Sequence, residues 1–179
     1  IEVKSSFIKK PGTLITKRTN LNNNRIITGI SSTHNDAKVT LVGVKDRPGV
    51  AASIFKPLSI NSINVDMVVQ NISPNGKETD LTFTIKAEDL NKTKKIIQDN
   101  KSIKFKKVLF QKGVSKISII GVGMITTPGV TFRMFQALAN KKINIQVIST
   151  SEIKISVLIN KKDAKKALVT LHKEFKLQE

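Results

Sequence analysis

The strongest constraint on this chain is that it holds the same pattern twice. Residues 38–70 read KVTLVGVKDRPGVAASIFKPLSINSINVDMVVQ, and residues 116–150 read KISIIGVGMITTPGVTFRMFQALANKKINIQVIST. Val39, Leu41, Val42, Gly43 and Val44 match Ile117, Ile119, Ile120, Gly121 and Val122, a spacing of 78 from Val39 to Ile117. After a two-residue insertion the spacing is 80, and Pro48, Gly49, Val50, Phe55, Leu58, Ile63 and Asn64 match Pro128, Gly129, Val130, Phe135, Leu138, Ile143 and Asn144. The period exceeds that of solenoid repeats. The chain is therefore read as two duplicated small domains.

Each copy reads as strand, tight turn, helix, strand. In the first, 38–44 is a strand, and Asp46-Arg47-Pro48-Gly49 is a breaker cluster leading into a helix. Val50, Ile54, Phe55 and Leu58 share one apolar helix face. Residues 63–70 form a second strand, and Pro74 with Asn75-Gly76 gives a hairpin signal. Residues 78–85 alternate, 88–100 are helical, and 105–111 make a fourth strand, giving the βαββαβ order of a ferredoxin-like unit. The second copy gives strands at 116–122, 143–149 and 154–160, with helices at 129–142 and 164–175 and Asp163 as N-cap of the last. It ends one strand short. The strand-like stretch 25–32 can fill that place, which interleaves the units. The expected fold class is α+β: two antiparallel four-stranded sheets, each with two helices on one face. The expected domains are 38–112, then 25–34 plus 113–179, with 1–24 as the tail of something upstream. A start at Ile1 rather than Met fits a fragment or a processed product.

Composition removes several functions. The chain has no Cys, hence no disulfide, thiolate metal site or Cys nucleophile, which suits a reducing cytoplasm. No apolar run reaches the length of a membrane span, so no membrane partner is expected. The net charge of +18 invites a basic nucleic-acid-binding module as the alternative reading. Against it, only Arg18, Arg25, Arg47 and Arg133 are Arg, and Arg is the better base and phosphate fork. There is also no Trp or Tyr to stack on bases.

Catalytic signals are absent. His34 and His172 lie on different elements without metal-ligand spacing, and no dinucleotide or Walker-type glycine loop is present. No catalytic residue, metal or resident cofactor is expected within this chain. The turn-to-helix junctions at Pro48-Gly49 and Pro128-Gly129 say more. Free N–H groups at a helix start can hold a carboxylate, and Asp46 beside the first can meet an ammonium group. Together those describe a free amino acid. Equally, Pro-Gly is an ordinary helix start.

The segments DRPGVAA and INVDMVVQN, then PGVT, INIQVIST and SEIKISVLI, resemble the tandem ACT domains of aspartate kinase. IEVKSSF and PGTLIT resemble the end of that family's kinase domain. The resemblance covers the whole chain and implies a regulatory region of an enzyme that phosphorylates aspartate. ATP and Mg would belong to the parent kinase, and this region should be inactive alone. It further implies lysine and/or threonine as effectors at ACT interfaces, a second copy of the region as partner in a homodimer, and a kinase domain or catalytic subunit. Carried over by motif, the first effector loop is Asp46, Pro48, Gly49, Val50 and Ala51, with Asn64, Val65, Asp66 and Gln70 from the next strand. From the second repeat come Val130, Thr131, Asn144, Ile145, Ser151 and Glu152. There Met124-Ile125-Thr126-Thr127 replaces the Asp46-Arg47 approach, so the second loop lacks its own acid, and Thr150 stands where Gln70 does.

Overall fold

A computed structural model of the chain describes residues 2–4, 6–7, 11–14, 26–72 and 76–177. Arg25, most of the 1–24 tail, and Pro74 and Asn75 of the expected hairpin lie outside the described residues. Strand β1 (Glu2–Val3) pairs with β2 (Thr13–Leu14). The rest runs β3 (Gly29–Ser32), β4 (Asp36–Lys45), α1 (Val50–Ile60), β5 (Val65–Ile72), β6 (Glu78–Lys86), α2 (Leu90–Asp99) and β7 (Lys107–Ile120). Then follow α3 (Val130–Asn140), β8 (Ile145–Ser151), β9 (Lys154–Asn160) and α4 (Ala164–Glu174).

Two ferredoxin-like layers share one strand. The first has the order β5-β6-β4-β7, and the second β8-β9-β7-β3, all antiparallel. The expected strands 105–111 and 116–122 are thus a single strand, β7. Its first half pairs with β4, and its second half lies between β3 and β9.

Gly113 makes this sharing work. Lys112 opposes Ala37 and Val114 opposes Asp36, so Gly113 is the extra residue of a β-bulge. Its φ of 71° is in the left-handed region, which glycine adopts without strain. The bulge shifts the alternation of β7 by one. Before it, Val108 and Phe110 pack into the first core; after it, Ile117 and Ile119 enter the second.

The first core joins Val39, Leu41, Leu81 and Phe83 of the sheet to Ile54 and Leu58 of α1 and Ile97 of α2. Phe55 meets Phe83 edge to face with ring centroids 5.3 Å apart. The second core joins Ile117, Ile119, Ile155 and Val157 to Met134 and Leu138 of α3 and Leu171 of α4. A third, smaller cluster of Met67, Val114 and Leu158, with Val147 against it, draws on β5, β7, β9 and β8 of both layers.

One local detail differs from expectation. A 3-10 turn at Lys161–Asp163 precedes α4, and its cap is Asn160, whose side chain accepts from the Lys162 N–H at 3.2 Å; Asp163 makes no side-chain cap. In α2, the buried Thr93 hydroxyl has no hydrogen-bond partner. An unmet buried polar group costs about 1–3 kcal/mol, and valine is nearly isosteric. Thr93→Val is therefore expected to raise stability by about 1 kcal/mol, read as a higher urea midpoint at unchanged m-value.

Candidate functional site

The helix starts are built alike in the two units. Pro48 and Gly49 form the centre of a turn closed by the Val50 N–H donating to the Arg47 carbonyl at 3.1 Å. Gly49 has φ 84° and ψ −1°, which are the type II values for the third turn position. Pro48 therefore lies in the turn ahead of α1 and not in its first helical position. Gly129 repeats this at φ 88° and ψ −4° before α3. Neither helix has a side-chain cap or an acidic residue in its first turn. The amides opening each helix lack intrahelical acceptors, and the positive end of the helix dipole stays uncompensated. Both starts are receptive to an anion.

At the α3 start a cleft of ≈ 600 Å³ has formed. Met124, Ile125, Thr127, Pro128, Gly129, Val130 and Thr131 line one side. Thr150, Ser151, Glu152 and Ile155 from the β8–β9 hairpin line the other. Four expected residues, Val130, Thr131, Ser151 and Glu152, thus come together. The loop has no acid of its own, and Glu152 of the hairpin is the acidic residue in the cleft lining. The cleft lining thus includes both an uncapped helix start and one carboxylate. Met124, Ile125, Thr127, Thr150 and Ile155 were not expected. The 80-residue spacing that maps Gln70 onto Thr150 already pointed to the last strand turn of the hairpin.

The first unit holds its loop differently. The Asp46 N–H donates to the Lys77 carbonyl at 3.0 Å, tying the loop to the β5–β6 connection. Asp46, Pro48 and Gly49 are exposed, Val50 is buried and Ala51 half-buried. Arg47 and Val50, with Lys45, Ser102 and Lys104, line a small basic cleft of ≈ 150 Å³ on one flank of the loop. Gln70 is exposed on the outer strand β5 opposite Leu81.

The register separates the remaining expected residues from these loops. Ile72 opposes Thr79, and Val44 opposes Thr79 from the other side, so the end of β5 lies at the loop end of the sheet. Val65 opposes Ile85, and Ala37 opposes Ile85 from the other side, at the far end. At ~3.4 Å per residue, Asn64, Val65 and Asp66 are roughly 20 Å from the loop. Asn144 and Ile145 lie at the corresponding far end of β8, where Ile145 opposes Ile159. The structure therefore gathers Asn64–Asp66 and Asn144–Ile145 near the junction of the two layers. There Lys116 Nζ is paired with the Asp66 carboxylate, and Lys38 Nζ donates to Gln146 Oε1 at 2.7 Å. Burial pushes the Lys38 ammonium below its usual range.

An open groove of ≈ 740 Å³ lies along α4 and is lined by Lys141, Lys162, Lys165, Lys166 and Lys173 with Val169, Thr170 and Glu174. It holds no aromatic residue or arginine, so it offers charge without a stacking surface or a bidentate fork. Among the described residues, no cluster of His, Cys, Asp and Glu is suited to a metal ion, and no helix is long and apolar enough to cross a membrane.

Comparison with known proteins agrees with this construction. A family model described as the ACT domain matches residues 39–100 and 117–175, one match per repeat. The chain is 44% identical over 179 residues to an aspartate kinase of Pseudomonas fluorescens, and 43% identical over 180 residues to an aspartokinase of Helicobacter pylori. Those alignments take in 99% and 98% of this chain but only 43% and 44% of the relatives, so the chain spans less than half their length. Among solved structures, the regulatory subunit of aspartate kinase from Thermus thermophilus in its ligand-free form superposes with a TM-score of 0.76 at 34% identity. That match covers 84% of this chain and 99% of the subunit. The duplicated ferredoxin-like layers, the two bare helix starts and these matches have one reading: the chain belongs to the ACT-domain family and corresponds to the regulatory region of aspartate kinases.

Proposed function

We propose that this region senses free lysine and/or threonine and feeds that signal back on an aspartate kinase in the cytoplasm. Residues 38–112 would form the first sensing domain, and 25–34 with 113–179 the second; residues 1–24 would be the end of a kinase domain that uses ATP and Mg. The observation that carries the proposal is the cleft whose lining includes both the uncapped α3 start and Glu152. An amino acid's carboxylate suits the first group and its ammonium the second. In the first unit, amides near Gly49–Ala51 would take the carboxylate and Asp46 the ammonium. Gln70, able to donate and accept, would read a polar side chain if a second copy of the chain completes that site.

A homodimer supports that completion. The outer strands β5 and β8 have no strand partner on their free edges among the described residues. They also expose Val68, Ile72 and Ile148. Soluble proteins normally cover such edges, and side-by-side pairing with a second copy does so.

The test uses the complete kinase. Ala51→Thr adds bulk where the backbone must approach a ligand, and Gln70→Ala removes the side-chain reader. Allosteric coupling is worth about 1–3 kcal/mol, and one hydrogen bond to a charged group about 1.5–3 kcal/mol. Either variant should therefore raise the effector concentration for half-inhibition by about tenfold or more while basal activity is kept. Wild-type inhibition curves in both variants would remove this loop from the effector site. The nucleic-acid alternative keeps one observation, the lysine groove along α4. Salt-sensitive oligonucleotide binding without any amino-acid response would favour it.

A further inference from the structure

The internal duplication gives an unusual control on the junction between the two layers, because each contact there has a counterpart. Lys38 maps onto Lys116 at the spacing of 78, and Asp66 maps onto Gln146 at the spacing of 80. Two side-chain contacts across the junction use these four residues in exchanged pairs. Lys116 of the second repeat reaches Asp66 of the first, and Lys38 of the first reaches Gln146 of the second. They are two arms of one pseudo-symmetric joint.

Each acceptor sits in a β-bulge. The pairing of β5 with β6 skips between Val65 and Val68, and that of β8 with β9 skips between Ile145 and Val147. Bulges re-aim side chains out of the regular alternation. The bulge amide in β5 is not wasted, since the Met67 N–H donates to Thr84 Oγ1 at 3.1 Å. Met67, next to Asp66, packs with Val114 and Leu158 in the small apolar cluster shared by the two layers.

The arms are unequal. Lys116, with a side chain only 14% exposed, faces a full carboxylate. Lys38 faces a neutral amide, and its strand neighbours Thr84 and Gln111 are neutral too. Burial there lowers its proton affinity without a counter-charge to offset it. We infer that this joint sets the angle between the two ACT units and that it yields first at its Lys38–Gln146 arm. The loops at the opposite ends of the sheets then move most. On the sensing role proposed above, that motion is what connects one cleft to the other.

The chain has no cysteine, so paired spin labels can be placed without background. Labels at Lys56→Cys on α1 and Lys165→Cys on α4, diluted with unlabelled chain, read the distance between the units by double electron–electron resonance. Gln146→Glu supplies the missing charge and should narrow the distance distribution. Asp66→Asn removes the strong arm and should broaden and shift it. Circular dichroism checks folding, and should Asp66→Asn not fold, Gln146→Glu alone decides. An unchanged or broadened distribution in Gln146→Glu overturns the joint. All measurements are made without amino acids, so failure of the joint is distinguishable from failure of the sensing role.

Discussion

Phe83→Ala is expected to destabilise the chain by about 3–5 kcal/mol, the range for removing a buried phenylalanine. Phe83 is fully buried at the centre of the first core, between Val39 and Val68 in the sheet register. Its ring also holds Phe55 of α1 edge to face. Truncation leaves a cavity that the strands cannot close without breaking register, and α1 loses the ring contact between Phe55 and the sheet. Against a total stability of about 5–15 kcal/mol for a typical protein, that is enough to populate unfolded forms. Calorimetric melting should show a fall of roughly 6–20 °C. A change below 1 kcal/mol would mean that α1 is not docked on this ring.

Gly121→Ala should also be damaging, to a smaller extent and for a different reason. The backbone of Gly121 is extended, which any residue adopts; what it lacks is room. A Cβ there would stand 2.1 Å from the Ile26 carbonyl oxygen and 2.7 Å from Ile27 Cα. Both obstacles are backbone and cannot rotate away. Thr28 anchors the same segment by donating its N–H to the Ile120 carbonyl at 2.8 Å, and Ile27 is buried in the second core. The substitution must therefore push the chain before β3 off the sheet, at a cost of about 1–3 kcal/mol for overpacking. Hydrogen exchange should accelerate in β3 and in its β7 partners Ile117–Ile120 while the first layer keeps its protection. Gly29→Ala, where a Cβ meets nothing within 4 Å, is the control and should leave both unchanged.

These two positions also show what the sequence carried and what it withheld. Phe83 was legible because a half-buried strand alternates, and Leu81, Phe83 and Ile85 fall on one face. The two helix starts were legible because Pro-Gly has few structural uses and the repeat displays it twice. The single strand β7 was not foreseen, since Gly113 looks like a break. Its signal was present: apolar residues at even positions, Val108 and Phe110, change to odd ones, Ile117 and Ile119, across one glycine. A change of phase at an isolated glycine is what a bulge produces.

The site was legible by halves. Motif carry-over named Ser151 and Glu152, which line the α3 cleft, but sequence adjacency hid that Thr150 and Ile155 join them there. It named Asn64–Asp66 together with the loop at Asp46–Ala51, and strand register puts them at the opposite end of β5 within one chain, where Asp66 pairs with Lys116. Contacts across layers depend on the sheet-to-sheet angle, and no local pattern encodes that angle.

The central claim is that the clefts at the helix starts hold free amino acids. It is tested most directly by titrating this chain in a calorimeter with lysine, with threonine and with both, against a single-stranded oligonucleotide in the same buffer. The account predicts saturable heat with at least one of the two amino acids, weakened by Glu152→Gln if it binds at the α3 cleft or by Ala51→Thr if it binds at the first loop, and no comparable heat with the oligonucleotide. No heat with either amino acid, together with oligonucleotide binding that falls steeply with salt, would contradict it.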